Sequence, residues 1–387
     1  MQKEILLITN YFPPEKGAAA NRIFSIAEGL GKTGYSVKVI CPLPNYPNGE
    51  IFEDYRGKLS LTKDVSFGKI VRLWVWPSNS ANKFVRLLSM LSFSLSLVLF
   101  FSFNKTPKNI FVQYSPVFVG YTAVCLGRLF SKKIILNISD LWPLAGLEMG
   151  ILKKGWYYSL LLKMEHFCYK NADLVVGQSE EILQHISNFK KEKPFFLYRN
   201  IPNFDIPPIK EKSISKEIKI VYAGLLGVAQ GIFEICQKVT FPENVSLHIY
   251  GAGPEAEKIK PLQKQNIFFY GELERDLLHL AIQEYDIVFI PLINRIYGSV
   301  PSKIFEYTRL GLPVLYFAGG EGGAIVERES LGWVVAVNDF GGLQSFINSI
   351  SETELRSFPK AIVQKNSALA FDFKKQFDAF ISSIEKV

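Results

Sequence analysis

A chain of 387 residues is too long for one ordinary hydrophobic core and suits two domains of similar size. Apolar residues make up 48% and charged residues 21%, with Pro and Gly scattered, which excludes a disordered or fibrous chain. The net charge of +8 favours anionic partners, but Lys and Arg are dispersed, with no basic arm or aromatic-studded stripe, so phosphorylated small molecules or acidic lipid are expected rather than nucleic acid.

The chain opens on "MQKEILLITNYFPP", whose apolar run is too short for a secretory signal, and a cytoplasmic location is expected. The first strand is followed by "PPEKGAAANRIFSIAEGL", a loop of small residues that opens a helix. Gly17, Ala18, Ala19 and Ala20 would let a ligand approach the backbone, and the amino end of the helix favours an anion. Tight packing alone would also account for such a loop. Further strands are expected at "YSVKVICPL", "KIVRLWVWP", "NIFVQYS", "KKIILNISD", "ADLVVGQS" and "PFFLYRN".

Between the third and fourth of these strands, "LLSMLSFSLSLVLFFSF" carries no charge and is flanked by Lys83, Arg86, Lys105 and Lys108. Its length approaches the roughly 20 residues that span a bilayer. A span would place strands of one sheet on opposite sides of the membrane, so it is rejected. Two readings remain: a helix with one apolar side on the sheet and Ser89, Ser92 and Ser96 on one stripe, or a helix at 84–103 that is apolar on more faces than a sheet covers and rests on a membrane surface.

"IPNFDIPPIKEKSISKE" combines prolines with charge, lacks apolar periodicity and reads as a linker. Beyond it, strands are expected at "IKIVYAG", "VSLHIYGAG", "NIFFYGEL", "DIVFIPL", "LPVLYFA" and "GWVVAV". Strands alternating with helices from end to end predict an α/β protein of two doubly wound, Rossmann-like parallel-sheet domains facing across a cleft, with ligands outside the carboxyl ends of the strands. The expected division is 1–203, 204–370 and a final helix, 371–387.

Glycines concentrate after the strands of the second half. Gly224 and Gly227 lie in "VYAGLLGVAQGIFEI", and Gly251 and Gly253 in "IYGAGPEAEKI", which suggests a phosphate held by main-chain N–H groups; unliganded tight turns are the plainer reading. In "YGSVPSKIFEYTRLGLPVLYF", Pro301 suits the first turn of a helix, Ser302 and Lys303 stand at its positive end, and Glu306 follows one turn later. Glu306 could complement the helix dipole or meet the ribose hydroxyls of a nucleotide.

These stretches, with "GGEGGAIVERESLGWVV", "PLPNYPNG" and "ISDLWP", resemble the family-4 retaining glycosyltransferases, and most nearly the bacterial surface-polysaccharide branch that includes colanic-acid and O-antigen fucosaminyltransferase-like enzymes. The resemblance runs over nearly the whole chain in order. It implies a GT-B fold, with a nucleotide-sugar in the second domain, the acceptor in the first and the final helix, 371–387, returning to the first domain.

The donor site so implied comprises Gly224, Gly227, Gln230, Gly251, Gly253, Gly271, Ser302, Lys303, Glu306, Gly320, Glu321 and Gly322. Glu306 matches the second glutamate of the family's Glu, seven residues, Glu pattern, whereas Gly298 stands in place of the first. The family's loop Arg and Lys fall at Leu225 and Gln230, and Val228 stands where a further Arg is expected. Lys303 is then the diphosphate cation, with Arg295 and Arg275 in reserve.

Asp140, after "KKIILNIS", could orient or deprotonate the acceptor hydroxyl, or merely cap the helix that follows. Gly17, Ala18 and Arg22 are acceptor-binding candidates. With no DxD sequence and no ligand spacing among the four histidines, neither metal nor cofactor is expected. The function expected is metal-independent transfer of a sugar from a UDP-linked donor to a polyprenyl-diphosphate-linked saccharide by a protein peripheral on the inner membrane face. A nucleotide-sugar 2-epimerase, or a non-catalytic nucleotide- or lipid-binding subunit, are the alternatives.

Overall fold

The computed structural model describes residues 3–78, 80, 82–189, 194–209, 217–263, 266–294 and 296–387, except for the side chains of residues 18, 83, 84 and 86. The chain forms two compact units, Met1–Arg199 with Lys375–Val387, and Asn200–Lys374.

The amino-terminal unit is built on strands β1 (Lys3–Ile8), β2 (Tyr35–Pro42), β3 (Ser60–Val65), β4 (Gly68–Leu73), β5 (Asn109–Gln113), β6 (Lys133–Ile138), β7 (Leu174–Gly177) and β8 (Phe195–Leu197). Their order is β3-β4-β2-β1-β5-β6-β7-β8. Every neighbouring pair is parallel except β3 with β4. Seven of these strands fall on the predicted apolar runs, but β3, "SLTKDV", was not expected. It is an exposed edge strand that buries neither face, so it carries no apolar signature.

Helices α1 (Ala18–Lys32), α2 (Lys83–Phe103), α3 (Val117–Leu129), α4 (Leu144–Glu148), α5 (Trp156–Asn171) and α6 (Glu180–Ser187) complete this part of the chain. The Ser179 hydroxyl caps α6 by accepting from the Ile182 N–H. On α2, Ser92 accepts from the Trp76 N–H and Ser96 donates to the Trp74 carbonyl, both at 2.8 Å, so part of the serine stripe ties the helix to the segment after β4. Phe93, Leu97 and Phe101 are buried, whereas Leu91, Leu95, Leu99 and Phe103 are exposed. The helix is thus apolar on more than the face it buries. No helix among the described residues is long and apolar enough to cross a membrane.

The second unit carries β9 (Ile218–Ala223), β10 (Val245–Tyr250), β11 (Ile267–Gly271), β12 (Ile287–Pro291), β13 (Val314–Phe317) and β14 (Gly332–Val335) in the order β11-β10-β9-β12-β13-β14. All its pairs are parallel. Helices α7 (Ile232–Lys238), α8 (Ala256–Ile259), α9 (Arg275–Ala281), α10 (Ser302–Arg309), α11 (Glu321–Arg328), α12 (Phe340–Ser349), α13 (Glu352–Arg356) and α14 (Lys360–Ala370) pack around this sheet, whose strands are buried in two clusters, one on each face. Of the expected linker, residues 201–209 have no regular structure and 210–216 lie outside the described residues.

The last helix, α15 (Phe373–Glu385), belongs almost wholly to the amino-terminal unit. Its Phe380 ring is fully buried, 6.1 Å from Phe111, 5.5 Å from Phe196 and 5.0 Å from Tyr198. An aromatic side chain so placed removes on the order of 150–250 Å² from water, which anchors the chain end.

In each sheet the strand order reverses once, between β1 and β5 and between β9 and β12. The carboxyl ends at those reversals are where a crevice opens in such folds.

Candidate functional site

In the second unit, three loops cross at the carboxyl end of β9. The N–H of Gly224 donates to the Tyr250 carbonyl at 2.9 Å, that of Leu226 to Ala252 at 2.8 Å, and that of Gly251 to Gly271 at 2.8 Å. A Cβ at Gly251 would strike the Gly224 carbonyl, and one at Gly253 the backbone of Leu226. Gly251 and Gly253 therefore permit loop to pack on loop, and the Gly251 N–H is committed to the protein. The N–H groups of Leu225, Gly227 and Val228 have no partner among the described residues, so the open part of the loop lies there. Gln230 folds over Gly227, with its Oε1 buried and unbonded. Leu225 and Val228, standing where cations were sought, are 60% and 61% exposed.

Lys303 comes to this loop from α10. Its Nζ donates to the Ala223 carbonyl, lies 4.6 Å from the centre of the Tyr222 ring, and occupies the space that a Cβ on Gly224 would need. Tyr307 donates to the same carbonyl at 3.0 Å. Burial pushes the Lys303 ammonium down to about 8, against a smaller opposing pull from Glu306. Pro301 precedes the helix and no side chain caps Ser302 and its neighbours, so the positive end of the helix dipole is left for a ligand.

Glu306, one turn on, is held on one side only. Its Oε1 accepts from Arg275 at 2.8 Å and from His279 Nε2 at 2.8 Å, while its Oε2 has no partner among the described residues. Burial opposes ionisation here, but the hydrogen bond from His279 and the charge of Arg275 outweigh it and hold the carboxyl below the ordinary range. The Phe204 ring packs against His279 at a tilt, with ring centres 4.6 Å apart, and lies 5.7 Å from the Arg275 guanidinium, which fixes both partners. Sequence reasoning missed His279 because a lone histidine has no spacing signal, and the partner that explains it is remote in the chain. Arg275, held in reserve for phosphate, instead serves Glu306; Arg295 lies outside the described residues.

Gly298 has a φ of +79°, in the left-handed region that a glutamate seldom adopts, so the departure at this position is built into the backbone. Helix α11 begins at Glu321 after Gly320 with no side-chain cap, and Glu321 is buried. Gly322 leaves room for the Tyr316 hydroxyl, and Gly271 closes β11. Gly320 to Gly322 thus form a second uncapped helix start at the carboxyl side of the same sheet.

In the amino-terminal unit, Asp140 follows β6 and lines a cavity of about 380 Å³ together with Tyr11, Ala19, Gln113 and Ser139. Burial raises its carboxyl above the usual range, and Arg22 offsets this only in part. Arg22, on α1, is buried with its Nη2 donating to Asn137 Oδ1 at 3.0 Å and its guanidinium 4.9 Å from the Tyr198 ring centre. Burial pushes it down to about 10, and its Nε and Nη1 are buried without a partner among the described residues. It is an interior group, not a surface charge. A Cβ at Gly17 would meet nothing within 4 Å, and the side chain of Ala18 lies outside the described residues.

Glu15, also missed, accepts from the N–H groups of Phe12, Asn45 and Tyr46 and so joins the "PPEKG" loop to "PNYPNG". No group of His, Cys, Asp and Glu able to hold a metal occurs among the described residues.

Residues 219–352 match the family model described as glycosyl transferases group 1. That span holds the loops, Lys303 and Glu306. Among curated proteins, the chain is 26% identical over 280 residues to the probable glycosyltransferase WbjE of Pseudomonas aeruginosa, covering 65% of this chain and 69% of that one. Among solved structures, sucrose-phosphate synthase from Thermosynechococcus elongatus superposes with a TM-score of 0.75 at 14% identity, over 99% of this chain and 98% of the other. HepE from Anabaena, solved in complex with UDP and glucose, gives 0.64 at 14% identity over 100% of both chains. The fold is GT-B, with two Rossmann-like domains.

Proposed function

We propose that this protein is a retaining glycosyltransferase of the family-4 type that takes a sugar from a UDP-linked donor in bacterial surface-polysaccharide synthesis. The observation that carries the reading is the pairing of Lys303 under the glycine loop with a Glu306 whose Oε2 takes no hydrogen bond from the described residues, both on one uncapped helix at the strand-order reversal. The family match over 219–352 and the likeness to WbjE support it.

In this reading the ribose hydroxyls donate to Glu306 Oε2, and the diphosphate meets the N–H groups of Leu225 to Val228, the start of α10 and the Lys303 ammonium. As the bond from the sugar carbon to the diphosphate oxygen breaks, its electron pair leaves with the nucleoside diphosphate, and fixed dipoles with one cation stabilise that charge. The sugar lies toward Gly320, Glu321 and Gly322. The acceptor lies in the amino-terminal unit, where its hydroxyl oxygen forms the new bond and its proton passes to Asp140. The raised carboxyl makes Asp140 a stronger base than an exposed aspartate, effective only above that raised pKa. The acceptor is a polyprenyl-diphosphate-linked saccharide, met where the exposed apolar face of α2 rests on the inner membrane surface.

The test is release or transfer of sugar from a panel of UDP-sugars with EDTA present. Activity that persists in EDTA and falls on Glu306→Ala with the fold retained supports the reading; unchanged kinetics in that variant remove Glu306 from the site. A second reading, a nucleotide-binding subunit without turnover, draws on the exposed Leu225 and Val228 where cations were sought, and binding without transfer over the whole panel would favour it. Acceptor-free isomerisation of the donor would instead indicate a 2-epimerase.

A further inference from the structure

Two loops meet at the carboxyl end of the first sheet, 9–17 after β1 and 43–52 after the neighbouring β2. Two buried charged groups that the proposed reaction does not use hold them together. Glu15 Oε1 accepts from the N–H groups of Asn45 and Tyr46, each at 2.9 Å, and its Oε2 from that of Phe12 at 3.2 Å. Arg72, on β4, donates to the carbonyl of Pro13 in the first loop and to that of Pro42, where the second begins. Burial raises the Glu15 carboxyl above its ordinary value, and the three N–H groups and the Arg72 charge pull it back only in part. The ionised carboxylate therefore takes stability from the fold as pH rises from the ordinary value through the raised one, and stability alone does not account for its being there.

The brace fixes one exposed side chain. The Tyr46 ring stands edge-on to Tyr11, with centres 5.4 Å apart and planes at 71°, and Tyr11 lines the same cavity as Asp140. Tyr46 is 47% exposed, and its hydroxyl has no partner among the described residues. Its loop closes on itself, through the Gly49 N–H to the Asn45 carbonyl at 2.8 Å and the Phe52 N–H to the Pro44 carbonyl at 2.9 Å. Glu15 thus ties a self-contained loop, and Tyr46 with it, to the segment that carries Tyr11.

We propose that Glu15 is a positioning residue for the acceptor: through the N–H groups of Asn45 and Tyr46 it keeps the Tyr46 ring against Tyr11, where that ring is the outer contact for the acceptor saccharide. The inference rests on the glycosyltransferase reading and adds two residues to its acceptor side. Glu15 itself touches no reacting atom. A tyrosine offers an apolar ring face and a hydroxyl together, which suits a saccharide, whose rings carry C–H faces and hydroxyls. A shift of about 1 Å in such a contact costs on the order of 100-fold in rate, so a carboxylate that fixes two N–H groups of the loop bears on transfer.

The test follows transfer from a UDP-sugar to lipid-linked saccharides extracted from bacterial membranes, with hydrolysis of the same donor measured in parallel on the full chain. Glu15→Ala is expected to raise the extract concentration that gives half-maximal transfer by about tenfold and to lower the ratio of transfer to hydrolysis. Glu15→Gln, which keeps one acceptor oxygen and serves should the first variant fail to fold, should recover part of the loss. Tyr46→Ala, at an exposed position, should act as strongly as Glu15→Ala. The double variant should be no worse than either single change within about twofold, because both break one contact.

Losses that multiply in the double variant, or a Tyr46→Ala that transfers as the unaltered protein does, would overturn the proposal. So would transfer and hydrolysis falling together in Glu15→Gln, since the carboxylate would then only keep the fold. Hydrolysis without any transfer by the unaltered protein overturns it as well. In all these cases hydrolysis by the unaltered protein leaves the donor reading standing. If that protein neither binds UDP nor hydrolyses any UDP-sugar, the glycosyltransferase reading fails and the proposal with it.

Discussion

The charged groups of the two candidate sites are held in different ways. In the carboxyl-terminal unit those beside the glycine loop are already engaged: Lys303 holds the Ala223 carbonyl, and Arg275 and His279 both grip one oxygen of Glu306. In the amino-terminal unit, Arg22 Nε and Nη1, Asn137 Nδ2, the Ser115 and Ser139 hydroxyls and the Tyr198 hydroxyl are buried with no partner among the described residues. A site that is satisfied beforehand pays little reorganisation when its ligand arrives and tolerates loss of a partner badly. One with open donors owes its order to what fills it. The donor half should therefore be intolerant of single changes, and the acceptor half should be stabilised by ligand.

The largest expected effect is at Glu306. Glu306→Ala would remove the proposed ribose contact and strand Arg275 and His279, and kcat/KM for the UDP-sugar should fall about 100-fold or more, read by initial rates.

Lys303→Met should weaken UDP binding by about 10- to 100-fold in titration calorimetry, with Lys303→Arg failing to restore it because the fork does not fit against Gly224. This residue also sets a pH dependence. With the free-protein ammonium at about 8, a diphosphate favours the protonated form, so UDP affinity should hold at pH 7 and fall as pH rises through 8, by up to about tenfold per unit. The Lys303→Met variant should lack that slope.

His279→Ala should raise the dissociation constant for UDP by a smaller factor, about three- to tenfold, with partial recovery in His279→Gln. A helix kept folded only by packing would show no such recovery.

The smallest effect is expected on α2. Leu95→Glu, at an exposed position, should lower flotation with anionic phospholipid vesicles several-fold while leaving hydrolysis of the soluble donor unchanged. Equal flotation of variant and parent would detach this helix from the membrane.

Much of the fold was legible in the chain because strands buried on both faces must be written as apolar runs, and "EILLIT", "KIILNI" and "IKIVYA" are such runs. The polar ribbon β3 escaped because an exposed edge strand needs no such run. Lys303 and Glu306 could be placed together because one helix carries them at fixed spacing. His279, Arg275 and Phe204 could not, since the contacts that give them meaning join residues distant in the chain. Gly251 and Gly253 were read as phosphate-binding from the strand-to-helix pattern, but a glycine demanded by a crossing loop leaves the same mark in a sequence. Glu15 likewise shows its purpose only once the loops at 12 and 45–46 are side by side.

The central claim is that one helix start, with Lys303 and the free oxygen of Glu306, holds the donor nucleotide. A crystal structure of the full chain with UDP tests it most directly. The account requires a diphosphate oxygen within hydrogen-bonding distance of Lys303 Nζ and a ribose hydroxyl on Glu306 Oε2. UDP bound with both groups out of reach, or in another part of the molecule, would contradict it.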